Sequence, residues 1–267
     1  MIRQIRSQVE VLAWCAHYYG LAATMWRCAG KIAAGIGWKS VGLDGLARYQ
    51  SQQFDRRFNV STSSVVTPAE AGISDERRDH AVQYQATQSL DFPIVLSRIG
   101  IESGEYSFVD YGSGMGRILL LASEFPFRSV HGVELSKRLH CAATENIRRF
   151  RSPRQKCTDI RSTLIDAAEF ELPDGPLVLF FFNPFDDVVL AEVLDQVERS
   201  LRDNDRRIVI LYYNPVHQHV TDGCSWLQPV SGLGIDENEW RVYEAVEDQV
   251  ANSDACHASS EAALTAC

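Results

Sequence analysis

The sequence predicts an α/β protein with a doubly wound, mostly parallel sheet. Three observations point there. Short β-branched and aromatic runs alternate with helical runs from about residue 105 onward, the pattern of strands joined by crossover helices. One run, LVLFFF at 177–182, is apolar throughout, as expected for a strand covered on both faces. A strand-like FVDY leads directly into three closely spaced glycines, Gly112, Gly114 and Gly116.

Each element has a local reason. YSFVDY is short, aromatic and ended by glycine, so it reads as the first strand. GRILLLASEF reads as a buried helix stopped near Pro126, and SVHGVEL as the second strand. SKRLHCAATENIRRF reads as a helix with Ser136 as N-cap. DIRSTLI is the third strand, LVLFFF the fourth and RIVILYY the fifth. DDVVLAEVLDQVERSLR has acids in its first turn and arginine in its last, which favours an amphipathic helix. SWLQPV and EWRVYEAV read as late strands, with Trp226 and Trp240 as core residues.

Four regions are expected: an N-terminal helical extension (1–50), a connector and helical cap (51–104), a catalytic domain (105–250) and a flexible tail (251–267). The connector is polar and rich in Ser and Thr, and residues 75–99 read as helix with Pro93 as a break. His17, Arg27 and Lys31 interrupt the apolar N-terminal stretch, so it reads neither as a secretory signal nor as a membrane span. It reads instead as amphipathic helix that packs on the main domain, on a partner or on a membrane surface.

With 267 residues, 45% of them hydrophobic, the chain can bury a sizeable core. A net charge of −9 argues against a dedicated nucleic-acid binder. The basic run RRFRSPRQK at 148–156 reads as a solvated helix end and loop. Seven cysteines without a C-x-x-C pair fit reduced thiols in a cytoplasmic protein, and no metal site is expected. His217 and His219 stand in H-x-H spacing without an evident third ligand.

The glycines sit where an α/β sheet binds ligands, at the carboxyl end of a strand. Glycine tolerates positive φ and lets a ligand approach the backbone. The pattern is not the dinucleotide form G-x-G-x-x-G, because the sixth position is Arg117. Asp110, two residues before the first glycine, would repel a diphosphate and attract an ammonium group. Glu134 closes the second strand, where an acid can accept hydrogen bonds from ribose hydroxyls. Together they ask for a nucleoside that carries an amino-acid-like ammonium group.

These residues resemble the class I S-adenosylmethionine-dependent methyltransferases. VDYGSGMGR is similar to their glycine-rich motif and GVEL to their ribose-binding strand. The resemblance implies a seven-stranded Rossmann-like sheet and S-adenosyl-L-methionine as cofactor. It implies that Asp110, Gly112, Ser113, Gly114 and Gly116 hold the methionine part, Glu134 the ribose, and Asp166 with Ala167 the adenine. It also implies that Asn183, Pro184 and Phe185, after the fourth strand, face the methyl group and orient a nitrogen acceptor on a protein side chain or small molecule. The single proline departs from the amine-methylating motif, and Asn-Pro equally serves to end a strand and start a helix. A bacterial subgroup of mostly uncharacterised members shares further features, among them FDRRFNVST, which implies that the connector closes over the cofactor, with Tyr84 above it or in the core. Two other readings stand beside this one. The first is a non-catalytic binding or scaffold module on the same fold. The second is a nucleotide-dependent oxidoreductase, disfavoured by Asp110 and Arg117.

Overall fold

A computed structural model of the chain describes residues 9, 11–22, 24–25, 43–74, 77, 79–87 and 92–246. The expected tail at 251–267 lies outside them, as does much of 1–50.

The seven strands are β1 (Ser107–Tyr111), β2 (Ser129–Glu134), β3 (Ile160–Leu164), β4 (Leu177–Phe182), β5 (Ile208–Tyr213), β6 (Leu227–Pro229) and β7 (Trp240–Ala245). They form one sheet in the order β3-β2-β1-β4-β5-β7-β6. The first five are parallel, and β7 runs antiparallel to both β5 and β6. The expected fold class is therefore the observed one. Strand order reverses between β1 and β4, so the loops after these two strands flank the switch point where such sheets take ligands.

Both faces of the sheet are covered, which explains the apolar strands. Phe108, Val178, Phe180, Val209 and Leu211 point to one core, and Val109, Tyr111, Leu179, Phe181 and Ile210 to another. The second core is closed by the helix Asp187–Asp203 through Val189, Leu190, Val193, Leu194, Val197 and Leu201. That helix begins at Asp187, and Asp186, expected in its first turn, is its N-cap, accepting from Val189 N at 3.1 Å. The helix Lys137–Arg149 likewise starts on Ser136, whose hydroxyl accepts from Leu139 N.

The first core is closed by the helices Leu43–Phe58, Phe92–Arg98 and Arg117–Ala122 and by helical residues within 11–22. In chain order the helices are α1 (Leu43–Phe58), α2 (Phe92–Arg98), α3 (Arg117–Ala122), α4 (Lys137–Arg149), α5 (Asp187–Asp203) and α6 (Gln218–Gly223). The described part of the N-terminal segment packs on the domain: Trp14 stacks on Phe125, and His17 and Tyr18 both reach the buried carboxylate of Glu124 at 3.0 Å. Among the described residues no helix is long and apolar enough to cross a membrane, and Cys15, Cys141, Cys157 and Cys224 are free thiols.

Two readings need correction. The stretch 51–58, expected as the start of the connector, is the second half of α1. Its polar composition hid a buried stripe of Gln50, Ser51, Phe54 and Phe58, helical in spacing but half polar. The stretch 75–99 is not one helix. Among its described residues only α2 is a helix of more than one turn, while 79–80 form a turn and 81–87 is not helical, with bridges from Ala81 to Phe185 and from Tyr84 to Val66.

Residues 59–87 thus include an ordered strap laid across the carboxyl ends of the strands, and one side chain ties it down. Arg117, the first residue of α3, is buried. Its Nε donates to Thr62 Oγ1 at 2.7 Å, and its Nη1 donates to Ser51 Oγ at 2.6 Å. Its Nη2 donates to the Ser51 carbonyl and to Asp55 Oδ1, both at 3.2 Å. The guanidinium lies 4.8 Å from the Phe54 ring centroid. Asp55 in turn accepts from Thr62 N, Thr62 Oγ1 and Ser63 N.

Removing one partner of a buried ion pair strands the other's charge. Arg117→Ala is expected to destabilise the protein by about 3–5 kcal/mol in urea unfolding. A loss below about 1 kcal/mol would mean that strap and domain are held by other contacts.

Candidate functional site

Under the strap, at the switch point, lies a cavity of about 460 Å³. It brings together nine of the eleven residues singled out from the sequence: Asp110, Gly112, Ser113, Glu134, Asp166, Ala167, Asn183, Pro184 and Phe185. Gly114 and Gly116 belong to the same loop but do not line it.

The loop's glycines are required by backbone and neighbours together. Gly112 and Gly114 have φ of 73° and 55°, in the left-handed region that favours glycine. A Cβ on Gly112 would run into Pro184, and one on Gly114 into the ring of Tyr84. Strap, first loop and fourth-strand loop therefore meet at backbone distance. Tyr84 is held in place by its hydroxyl, which donates to the Thr62 carbonyl at 2.8 Å. The loop is fixed from below by Asn146 of α4, whose Nδ2 donates to the carbonyls of Met115 and Ser61 at 2.9 Å.

Glu134 ends β2 beneath this loop. One carboxylate oxygen accepts from Gly114 N and the other from Ser136 N, each at 2.8 Å. Burial raises its pKa, while the N–H bonds from Ser136 and Gly114 work in the opposite direction.

Asp110 has no such support. It is buried in β1 between Gly132 of β2 and Phe180 of β4. No described residue donates a hydrogen bond to its carboxylate or forms an ion pair with it. Burial first, and the charge of Glu134 second, raise its pKa well above the usual carboxylate range. A buried acid facing a cavity without a counter-charge is costly unless something cationic arrives. Two more buried groups in the cavity wall lack partners, Ser113 Oγ and Asn183 Oδ1. Asn183 also has φ of 42°, uncommon for a residue with a side chain, so the turn after β4 holds it in a strained pose.

Asp166 follows β3. Its Oδ1 accepts from Ala168 N at 3.1 Å, and its Oδ2 pairs with Arg77 Nε of the strap at 2.8 Å. Arg77 also reaches Glu192 of α5 at 3.2 Å. Phe185 is buried with its ring against Phe181, and it lines the cavity from the core side. Trp226 and Trp240 are core residues, as expected. His217 stands at the N-cap of α6 and His219 in its first turn, with ring centroids 6.1 Å apart, and His219 is 3.8 Å from Asp187. Among the described residues no group of three metal-ligating side chains occurs.

Sequence reasoning missed His80 and Arg77. His80 Nδ1 lies 2.6 Å from Asp186 Oδ2, and Asp186 N donates to the His80 carbonyl at 3.1 Å. Both strap residues were hidden by the helical reading of their segment, and only the fold brings them to α5 and the cavity.

No family model matches the chain, and no curated protein matches it by sequence. Solved structures do. The magnesium protoporphyrin IX methyltransferase of Synechocystis, solved with bound S-adenosylmethionine, is 13% identical at a TM-score of 0.42, covering 58% of this chain and 77% of that one. A ribosomal protein L11 methylase from Lactobacillus delbrueckii is 15% identical at 0.38, covering 58% and 76%. A geranyl diphosphate C-methyltransferase from Streptomyces coelicolor, solved with S-adenosyl-L-homocysteine, is 16% identical at 0.39, covering 59% and 76%.

The lone carboxylate makes a signed prediction. Folding raises the Asp110 pKa, so the folded state holds that proton more tightly than the unfolded chain. Its cost is absent below the unfolded pKa, grows as pH rises toward the folded pKa, and stays constant beyond it. Without ligand, Asp110→Asn should therefore melt higher than the wild type at about pH 8 and converge with it near about pH 4. Each kcal/mol recovered is worth roughly 2–4 °C in a chain this size. A variant that melts lower at every pH would show that Asp110 is already compensated.

Proposed function

We propose that this chain is an S-adenosylmethionine-dependent methyltransferase, with a nitrogen on a protein side chain or small molecule as the favoured acceptor. The observation that carries the reading is the uncompensated Asp110 carboxylate, buried in the wall of a cavity between the glycine loop and the Asn183 turn. It matches the ammonium group of the cofactor's methionine part in sign and place. A diphosphate there would add repulsion to an acid already driven toward protonation.

The remaining residues fit the same ligand. The glycine loop offers backbone and the unpartnered Ser113 hydroxyl to the methionine portion. Glu134 uses one lone pair of each oxygen on Gly114 N and Ser136 N, which leaves acceptor capacity for two ribose hydroxyls. Asp166 and Ala167 border the cavity where adenine would lie. When bound, the cofactor supplies an electrophilic methyl group on a sulfonium. The protein's part is to position an acceptor in line with it and to exclude water.

At the acceptor end stand Asn183, Pro184 and Phe185. Asn183 Oδ1 is a buried hydrogen-bond acceptor without a donor, which favours an incoming N–H. Pro184 presses on the glycine loop and so couples the acceptor turn to the cofactor loop. A net charge of −9 makes nucleic acid the less favoured acceptor. One feature supports the alternative of a non-catalytic binding module: Arg77 already engages Asp166 Oδ2, an oxygen that adenine would share.

Calorimetric titration with S-adenosylmethionine and, separately, with NAD tests the reading. Micromolar binding of the first alone is expected. Asp110→Ala should weaken it by at least tenfold, about 1.4 kcal/mol or more, the scale of a lost charged hydrogen bond. Unchanged affinity in that variant would remove the assignment of Asp110, and NAD binding alone would revive the oxidoreductase reading.

A further inference from the structure

The strap places an imidazole in the wall of the same cavity, next to the Asn183 turn. His80 is held at two points. Its carbonyl accepts from Asp186 N at 3.1 Å, and its Nδ1 lies 2.6 Å from Asp186 Oδ2. The neighbouring bridge from Ala81 to Phe185 fixes the strap against the acceptor turn. Asp186 is itself immobilised, because its other oxygen accepts from Val189 N as the cap of α5. Burial opposes ionisation of Asp186, but the His80 and Val189 hydrogen bonds outweigh it and hold the acid below its usual range. An ionised Asp186 accepts a hydrogen bond from Nδ1–H. That selects the tautomer in which Nε2 keeps its lone pair.

We propose that His80, oriented by Asp186, takes the proton released by the methyl acceptor. The assignment rests on the methyl-transfer reading above. The acceptor's lone pair forms the bond to the methyl carbon. The carbon–sulfur bond breaks with its electrons going to sulfur, and the acceptor's proton passes to His80 Nε2. An acceptor that starts neutral becomes cationic when it gains a methyl group, and passing its proton to His80 relieves that charge. His80 is about one-third exposed, its side chain at 35%, so the proton can leave to solvent after each turnover. Asp186 is the positioning residue.

Among the described residues the charged neighbours are these. Arg77, on the same strap, is committed to Asp166 and Glu192. Asp187 lies next to Asp186 and 3.8 Å from His219, and His217 acts on Asp186 through space. Asp79 is the exposed neighbour of His80 on the strap.

The test compares wild type with His80→Asn. Asparagine keeps an N–H donor near the Nδ1 position, and so the clamp on Asp186, but has nothing at Nε2. The readouts are S-adenosylmethionine affinity by calorimetry, transfer of labelled methyl into fractionated cell extract across pH, and the ring-nitrogen NMR shifts of His80. Affinity is expected to change less than about threefold, and transfer to fall by roughly 10²–10⁴-fold. The pH profile of transfer should differ between wild type and variant, because the variant has no proton acceptor at that position. The neutral imidazole should carry its proton on Nδ1.

Full transfer by His80→Asn with the same pH profile would overturn the assignment, as would a proton found on Nε2. So would a wild type that binds the donor but labels no fraction. Failure of the wild type to bind the donor at all is a different result: it removes the methyl-transfer reading and this assignment with it.

Discussion

The interaction on which the molecule's upper half depends is the burial of one guanidinium. Arg117 sits at the junction of glycine loop and helix, a position that ordinarily needs only a good helix former. Here it gathers Ser51, Asp55, Thr62 and the face of Phe54 around five N–H donors that cannot be left unpaired. Remove it, and Asp55 is a buried charge while the strap's first residues lose their main tie. Further along, the strap is held by Asn146 on Ser61, by the Val66–Tyr84 and Ala81–Phe185 bridges and by His80 on Asp186, so Tyr84, His80 and Arg77 reach the cavity in fixed places. Arg117 and Asn146 together tie the glycine loop and the start of the strap to each other.

Much of the fold was legible because its signals are local. An apolar β4 announces a strand covered on both faces. Asp186 and Ser136 announce helix starts by capping chemistry that needs no tertiary context. What was not legible depends on burial. Ser51 looks like a solvent-facing residue until Arg117 is placed against it. The stretch 79–87 looks helical by composition, yet its backbone is claimed by Phe185 and Val66 from far along the chain. A tertiary partner overrode local propensity in both cases.

The candidate site divides the same way. Asp110, Glu134 and the glycines were readable because their roles are set by position on a strand, and position on a strand follows from sequence. His80, Arg77 and Asp186 form a second group that exists only when strap and α5 are brought together. Tyr84 lies between the two groups: resemblance placed it above the cofactor or in the core, and the structure places its ring against Gly114. No spacing rule links residue 80 to residue 186, so that pair had no signal in a single sequence.

The electrostatics of the site give the separation between those groups a meaning. Three acids in and beside the cavity are compensated by the protein itself. Glu134 has backbone N–H groups, Asp166 has Arg77 and Ala168 N, and Asp186 has His80 and Val189 N. Asp110 alone is left, deep in the sheet and driven toward protonation. A fold selected only for stability would place a neutral residue there, since nothing among the described residues benefits from the charge. The same chain meets every other demand of its buried carboxylates nearby. On the methyl-transfer reading, the deficit marks the point beside the glycine loop where a cationic group of the ligand would supply the compensation. Through its described residues the strap brings a cation, Arg77, to Asp166 at the rim and none to Asp110 at the floor, so it braces the rim and leaves free the place where the proposed ligand's ammonium group would sit.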